Sequence, residues 1–190
     1  TLMNVYGVTP GQRVLMVGAG NIGLIVSYQL MQAGVEIVAI LEALSKIGGY
    51  WVHAAKVRRM GVPILLNHTI KEALGTDVVT GAVIQEVDSK FQPVGDPQRV
   101  DCDVICLAVG LTPTCEMLWQ AGCEMKFVPQ LCGYVAKRDS LMRTSHPDIW
   151  VAGDAAGIEE ASSAMVEGRV AGLAAAAALN YGTPEVLKER

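Results

Sequence analysis

Six consecutive residues, Gly18-Ala19-Gly20-Asn21-Ile22-Gly23, carry the clearest chemical signal in the chain. They form a G-x-G-x-x-G between an apolar run, Val14 to Val17, and a stretch from Ile22 to Met31 whose apolar residues recur at helical spacing. In that setting each glycine has its own task. Gly18 permits a tight turn out of the strand, Gly20 lets the backbone approach a pyrophosphate, and Gly23 lets the helix pack on the strand. The unsatisfied N–H groups and positive dipole end of the helix then face the phosphates. The competing explanation is a strand-to-helix turn with no ligand.

Glu42 ends the next apolar run, 19 residues beyond Gly23. A carboxylate there accepts both hydroxyls of an adenosine ribose and repels a 2′-phosphate, so NAD(H) is expected rather than NADP. Lys46, Arg58 and Arg59 could in principle serve a 2′-phosphate, but a solvated helix face is the expected reading of this basic group. Far along the chain, "IWVAGDAAG" (Ile149 to Gly157) reads as an apolar strand stopping at Gly153-Asp154. That aspartate is either an ordinary turn former or a group aimed at a ligand.

The elements around these residues alternate. After the fingerprint helix closes at Ala33-Gly34, "VEIVAILE" gives a second buried strand. A polar-faced helix runs from Gly49 to about Met60, and "VPILL" gives a third strand. This order implies a parallel sheet with covering helices. Val78 to Val87 and the region around Val100 are expected as strands joined by the loop "FQPVGDPQ", an antiparallel meander laid on the sheet. "DVICLAVG" returns to a buried strand ending at Gly110. A short helix (Cys115 to Gln120), further strand-like pieces and an alanine-rich final helix follow. The fold class expected is α/β, a Rossmann-like three-layer domain over residues 1–113 followed by a second segment over 114–190.

Composition narrows the partners. With 190 residues, 51% of them hydrophobic, the chain can bury a real core. A net charge of −4 gives no broad basic face, so nucleic acid is not the expected partner. The most apolar stretch, Val166 to Leu179, carries Glu167 and Arg169 and is too short to span a bilayer; a buried helix is expected instead. Five cysteines (Cys102, Cys106, Cys115, Cys123 and Cys132) form no Cys-x-x-Cys and suggest no metal site. Their odd number, with no signal peptide, points to a reducing, cytoplasmic setting in which each is a small buried hydrophobe.

Together the motifs resemble the pyridine nucleotide-disulfide oxidoreductases, flavoproteins with two dinucleotide-binding domains. The segment "AVGLTP" (Ala108 to Pro113) is similar to the family's return strand, with Val109 in place of the usual threonine. "TSHPDIWVAGD" (Thr144 to Asp154) is similar to its late signature, and "AMVEGRVAG" to the helix that follows. The resemblance implies FAD as well as NAD(H), with Gly110, Gly153 and Asp154 at the flavin. The Asp154 carboxylate would accept from the ribityl or phosphate region, and the helix beginning near Ala161 would aim its positive end at the flavin pyrimidine. The implied reaction is hydride transfer between nicotinamide and flavin. It requires no obligatory acid or base, so no catalytic residue is named. Ile25 stands where many members carry a glutamate near the nicotinamide. The family's FAD domain also begins with its own G-x-G-x-x-G, and the residues before Gly18 contain none. The flavin's ADP end would then be completed by a missing N-terminal segment or another chain. "IGGYWVHAAKVRRMGVPIL" looks most like flavoprotein subunits of amine- or amino-acid-oxidising dehydrogenases, which implies a small-molecule redox substrate. The alternative is a non-catalytic NAD-binding module acting only within an assembly.

Overall fold

The computed structural model describes residues 1–181; the end of the expected 114–190 segment, residues 182–190, lies outside the described residues. Two compact units divide the chain, one from Thr1 to Val109 and one from Gly110 onward.

The first unit starts with a short helix, α1 (Leu2–Tyr6), which the sequence pattern does not suggest. Then come β1 (Arg13–Val17), α2 (Asn21–Gln32), β2 (Glu36–Glu42), α3 (Trp51–Arg59) and β3 (Ile64–Leu66). Three strands of a meander follow, β4 (His68–Leu74), β5 (Gly81–Val87) and β6 (Pro93–Val100), and β7 (Val104–Leu107) closes the unit. The main sheet has the order β3-β2-β1-β7 and every pairing in it is parallel.

Both faces of this sheet are covered, which is why its central strands are apolar at consecutive positions rather than alternate ones. Val14 and Met16 face a cluster containing Leu24, Leu30, Ala54 and Val57 from the helices. Leu15 and Val17 face the opposite cluster, with Ala82 and Ile84 of the meander and Cys102. In β2 an extra residue at Val38 shifts the register: Val14 pairs with Ile37, but Leu15 pairs with Ala39. That bulge lets Ile37 and Ile40, three apart, reach the same helix-covered face. Leu15, Leu24 and Leu30 are fully buried, each contributing about 1.5–3 kcal/mol of transfer free energy.

The meander differs from its expected form. β4 carries no strand signal because "HTIKEAL" is mostly polar, as suits a strand at a sheet edge. Val78 and Val79 precede the strand, which begins at Gly81. Most of the expected loop "FQPVGDPQ" is the edge strand β6, where proline needs no ladder partner on its open side. The actual turn is tight: Asp88 Oδ1 accepts the N–H groups of Lys90 and Gln92 at 2.8 and 2.9 Å. Buried Gln85 fills the register break in β6 by donating to the carbonyls of Val94 (2.7 Å) and Gly95 (3.2 Å).

The second unit comprises α4 (Glu116–Gln120), the hairpin β8 (Met125–Val128) and β9 (Gly133–Ala136), and α5 (Ala161–Ala178). Its core gathers Cys115, Leu118, Cys123, Ala136, Val151 and Ala156. "IWVAGD" does not form a strand. Its segment makes a single bridge, Trp150 to Arg143, closed by the bonds from Val151 N–H to Met142 C=O at 3.0 Å and from Thr144 N–H to Ile149 C=O at 2.9 Å. An apolar run is not enough for a strand when its neighbour is a short turn-rich segment. The final helix is also less buried than expected: among its described residues only Ala171 and Ala174 are fully covered, whereas Met165 and Val166 are exposed. Within this unit α5 packs over the Gly153 turn, and most of its remaining apolar residues are only partly buried.

Candidate functional site

The fingerprint loop connects β1 to α2. Gly18 takes φ +108, a conformation that disfavours any side chain, and a Cβ there would lie 2.2 Å from the Ala108 carbonyl oxygen. A Cβ on Gly23 would lie 2.0 Å from the Gly18 carbonyl oxygen, so helix and loop touch backbone to backbone. Gly20 differs from both. Its backbone is ordinary (φ −73, ψ 177), and a Cβ there would meet nothing within 4 Å. Space is therefore left open at the one position where a pyrophosphate would approach.

Gly20 caps α2 with no side-chain hydrogen bond, and the first turn carries no acidic residue. Among the described residues the N–H groups of Asn21, Ile22 and Gly23 have no acceptor. Three free donors and the positive end of a 12-residue helix thus face the open space above Gly20. This donor set fits the diphosphate of a dinucleotide.

Glu42 stands at the end of β2, with its carboxylate fixed by the backbone. Oε2 accepts Ala19 N–H at 2.9 Å and Oε1 accepts Leu44 N–H at 3.0 Å. Each oxygen keeps a further lone pair, so the group can still accept from ribose hydroxyls. The carbonyl of the same Ala19 accepts Gly49 N–H at 2.9 Å, so that residue is held from both sides. Asn21 Oδ1 accepts Tyr50 N–H at 2.7 Å, which ties the start of α3 to the start of α2. A Cβ on Gly49 would come within 2.8 Å of the fingerprint backbone. From the sequence alone, Gly48-Gly49 marks only the boundary before a helix. The closely spaced glycine pair is the one available clue that two backbones meet there.

The basic residues near the loop are engaged elsewhere or lie open. Arg58 stacks over Trp51 at 5.4 Å, Lys56 lies over Tyr28 at 5.2 Å, and Lys46 is exposed. Ile25 is exposed on α2. At the opposite end of β1, Asp103 accepts the N–H groups of Arg13 (2.8 Å) and Gln12 (2.9 Å). Those two bonds, Arg13's foremost, hold its carboxyl below the usual range. Burial pushes the Cys102 and Cys106 thiols up, so neither is an activated nucleophile. Cys115 and Cys123 are buried as expected; Cys132 is exposed at φ +64, because it follows a tight 3-10 turn instead of lying in the core.

In the second unit Gly110 has φ +143 with open space about it. Gly153, at φ +68, opens a short turn (Gly153–Ala155), and Asp154 follows it with an exposed side chain that has no hydrogen bond among the described residues. Gly153 N–H donates to Glu167 Oε2 at 2.9 Å. α5 starts at Ala161, with no acidic residue in its first turn. A free carboxylate beside an uncapped helix start suits the polar atoms of a flavin. Glu167 itself shows in the sequence as a residue of "AMVEGRVAG", with nothing there to tie it to Gly153.

Among the described residues no helix is long and apolar enough to cross a membrane. Residues 4–168 match the family described as pyridine nucleotide-disulphide oxidoreductase. Among curated proteins the chain is 27% identical to an opine oxidase component from Rhizobium meliloti, over 89% of this chain and 34% of that protein. It is 26% identical to the hydrogen cyanide synthase component HcnB of Pseudomonas protegens, over 87% and 39% respectively. Both relatives are named as subunits of their enzymes. Among solved structures, thioredoxin reductase from T. acidophilum superposes with a TM-score of 0.74 at 25% identity, covering 88% of this chain and 52% of that one. The chain thus spans little more than a third of the length of these curated relatives and about half of the solved one. It belongs to the pyridine nucleotide-disulphide oxidoreductase family, flavin-dependent oxidoreductases that use FAD and NAD(P)H.

Proposed function

We propose that the unit from Thr1 to Val109 binds NAD(H) and that the unit from Gly110 onward carries the C-terminal part of an FAD site, within an oxidoreductase that moves hydride between the two cofactors. The observation that carries this reading is the open cradle over Gly20, with the free N–H groups of Asn21, Ile22 and Gly23 aimed into it. In this reading those donors hold the pyrophosphate, and Glu42, already oriented by Ala19 and Leu44, accepts the adenosine ribose hydroxyls. Its negative charge favours NAD(H) over NADP. Asp154 and the start of α5 face the flavin, and Gly110 leaves its backbone open beside it.

When bound, the nicotinamide and the flavin supply the hydride transfer itself. The protein's part is to orient the two rings and exclude water. The chain carries one G-x-G-x-x-G, and FAD requires a second loop of that kind for its ADP end. We place that loop in another chain or another segment of the same protein. The two relatives named as enzyme subunits favour an assembly with a partner chain and a small-molecule redox substrate, an amine or imino acid among the candidates.

Titration of the purified chain with NADH and with FAD, followed by fluorescence, tests both halves. Binding of both supports the full reading. NADH binding by a protein that takes up no FAD restricts this polypeptide to a nucleotide-binding module of a larger assembly. Failure to bind NADH overturns the reading.

A further inference from the structure

The Gly153–Asp154 turn is held from behind by an ion pair between a glutamate within "AMVEGRVAG" and an arginine outside every motif named above. Glu167, on α5, accepts Gly153 N–H at Oε2 (2.9 Å), and its Oε1 accepts Arg138 Nη2 at 2.7 Å. Arg138 lies just past β9, in the segment bridged to Thr144. The two side chains are largely withdrawn from water, 21% exposed for Arg138 and 14% for Glu167. The other terminal nitrogen of Arg138, Nη1, is buried with no acceptor among the described residues.

Glu167 is thus approached by two donors and by no acceptor. Only an acceptor-only group with two oxygens satisfies both; an amide would turn its NH2 toward one of them. A withdrawn ion pair with an unpaired N–H is a poor way to stabilise a fold, because apolar side chains of similar volume would serve as well or better. What apolar side chains cannot do is fix the direction of one backbone N–H. Here that N–H belongs to Gly153, whose φ of +68 sets the direction in which Asp154 leaves the turn. α5 lies close behind: a Cβ on Gly153 would be 3.6 Å from Ala164 Cβ.

We propose that Glu167, oriented by Arg138, is a positioning residue that holds the Gly153–Asp154 turn so that Asp154 faces the flavin. The proposal rests on the reading of Asp154 given above and adds the pair that acts through it. Four forms of the full chain test it: wild type, Glu167→Gln, Arg138→Met and the double variant Arg138→Met/Glu167→Gln. Two readouts are taken, hydrogen exchange at the Gly153 amide and FAD affinity.

Glu167→Gln speeds exchange at Gly153 and weakens FAD binding about tenfold, the scale of a lost hydrogen bond to a charged group. The double variant recovers both to within about threefold, since the amide oxygen keeps Gly153 and the NH2 no longer meets a donor; such coupling is the mark of a shared contact. Unchanged exchange in Glu167→Gln, or losses that simply add in the double variant, overturn the proposal. If exchange follows the expected pattern while wild type binds no FAD, the hold on the turn is supported and the flavin reading of Asp154 alone fails.

Discussion

The loop at Gly18–Gly23 and the turn at Gly153–Asp154 are both glycine-opened corners that we propose face a cofactor, yet they are held in different ways. The first is built almost wholly from backbone: carbonyl oxygens lie 2.2 and 2.0 Å from where Cβ atoms on Gly18 and Gly23 would be. Its central residue, Ala19, is gripped through N–H by Glu42 and through C=O by Gly49. The second is held by one carboxylate from a later helix, and Ala164 leaves 3.6 Å to a Cβ on Gly153. A corner built of backbone tolerates no side chain at its glycines. A corner held by a side chain tolerates a methyl group and depends on a remote residue instead.

That contrast predicts a ranking of substitutions. Gly23→Val forces a side chain into the Gly18 carbonyl and destabilises the first unit by about 3 kcal/mol or more, measured by denaturant unfolding. A small change in unfolding midpoint would show that the loop yields, and the contrast would collapse. Glu42→Ala weakens NADH binding by about 1.5–3 kcal/mol, the range for hydrogen bonds to a charged group. Calorimetry returning wild-type affinity would leave Glu42 with only its loop-holding bonds. Gly153→Ala meets no hard contact and costs about 1–2 kcal/mol, the conformational penalty at positive φ. A loss as large as that of Gly23→Val would erase the difference between the two corners.

The smallest effect is set at the far end of β1. Asp103 has its carboxyl pKa lowered by the N–H groups of Arg13 and Gln12, so its contribution is present above the unfolded-state value and is lost as pH falls through the folded one. Asp103→Asn therefore costs less than about 1 kcal/mol at neutral pH, since the group is exposed and screened. Thermal melts of the two proteins should converge only as pH falls below the ordinary carboxylate range and through the lowered folded-state value, where wild-type Asp103 is protonated as well. A gap that persists in acid would assign the cost to shape rather than charge.

The same contrast governs what is legible in the sequence. β1, β2 and β7 can be read there because strands covered on both faces must be apolar at successive positions, and glycines mark where they end. β4 and β6 cannot, since "HTIKEAL" and "PVGDPQRV" are edge strands whose polar and proline residues read as loop. "IWVAGD" fails in the other direction, its apolar run overstating a segment that makes one bridge. Alanine content likewise overstates how far α5 is buried. In the site, Gly18, Gly20 and Gly23 are visible because their spacing encodes a steric requirement within one short loop. The roles of Gly49, Arg138 and Glu167 are not, because each acts on a group far from it in sequence. No local pattern records that pairing.

The central claim is that the space above Gly20 is a dinucleotide cradle. Calorimetric titration of wild type and Gly20→Val with NADH tests it most directly, alongside thermal melts of both. At φ −73 with nothing within 4 Å, valine fits Gly20 without clash, so the fold survives with a small loss at the helix cap. The account predicts NADH binding by wild type and none by Gly20→Val at a nearly unchanged melting temperature. Equal NADH affinity in the two proteins would contradict it.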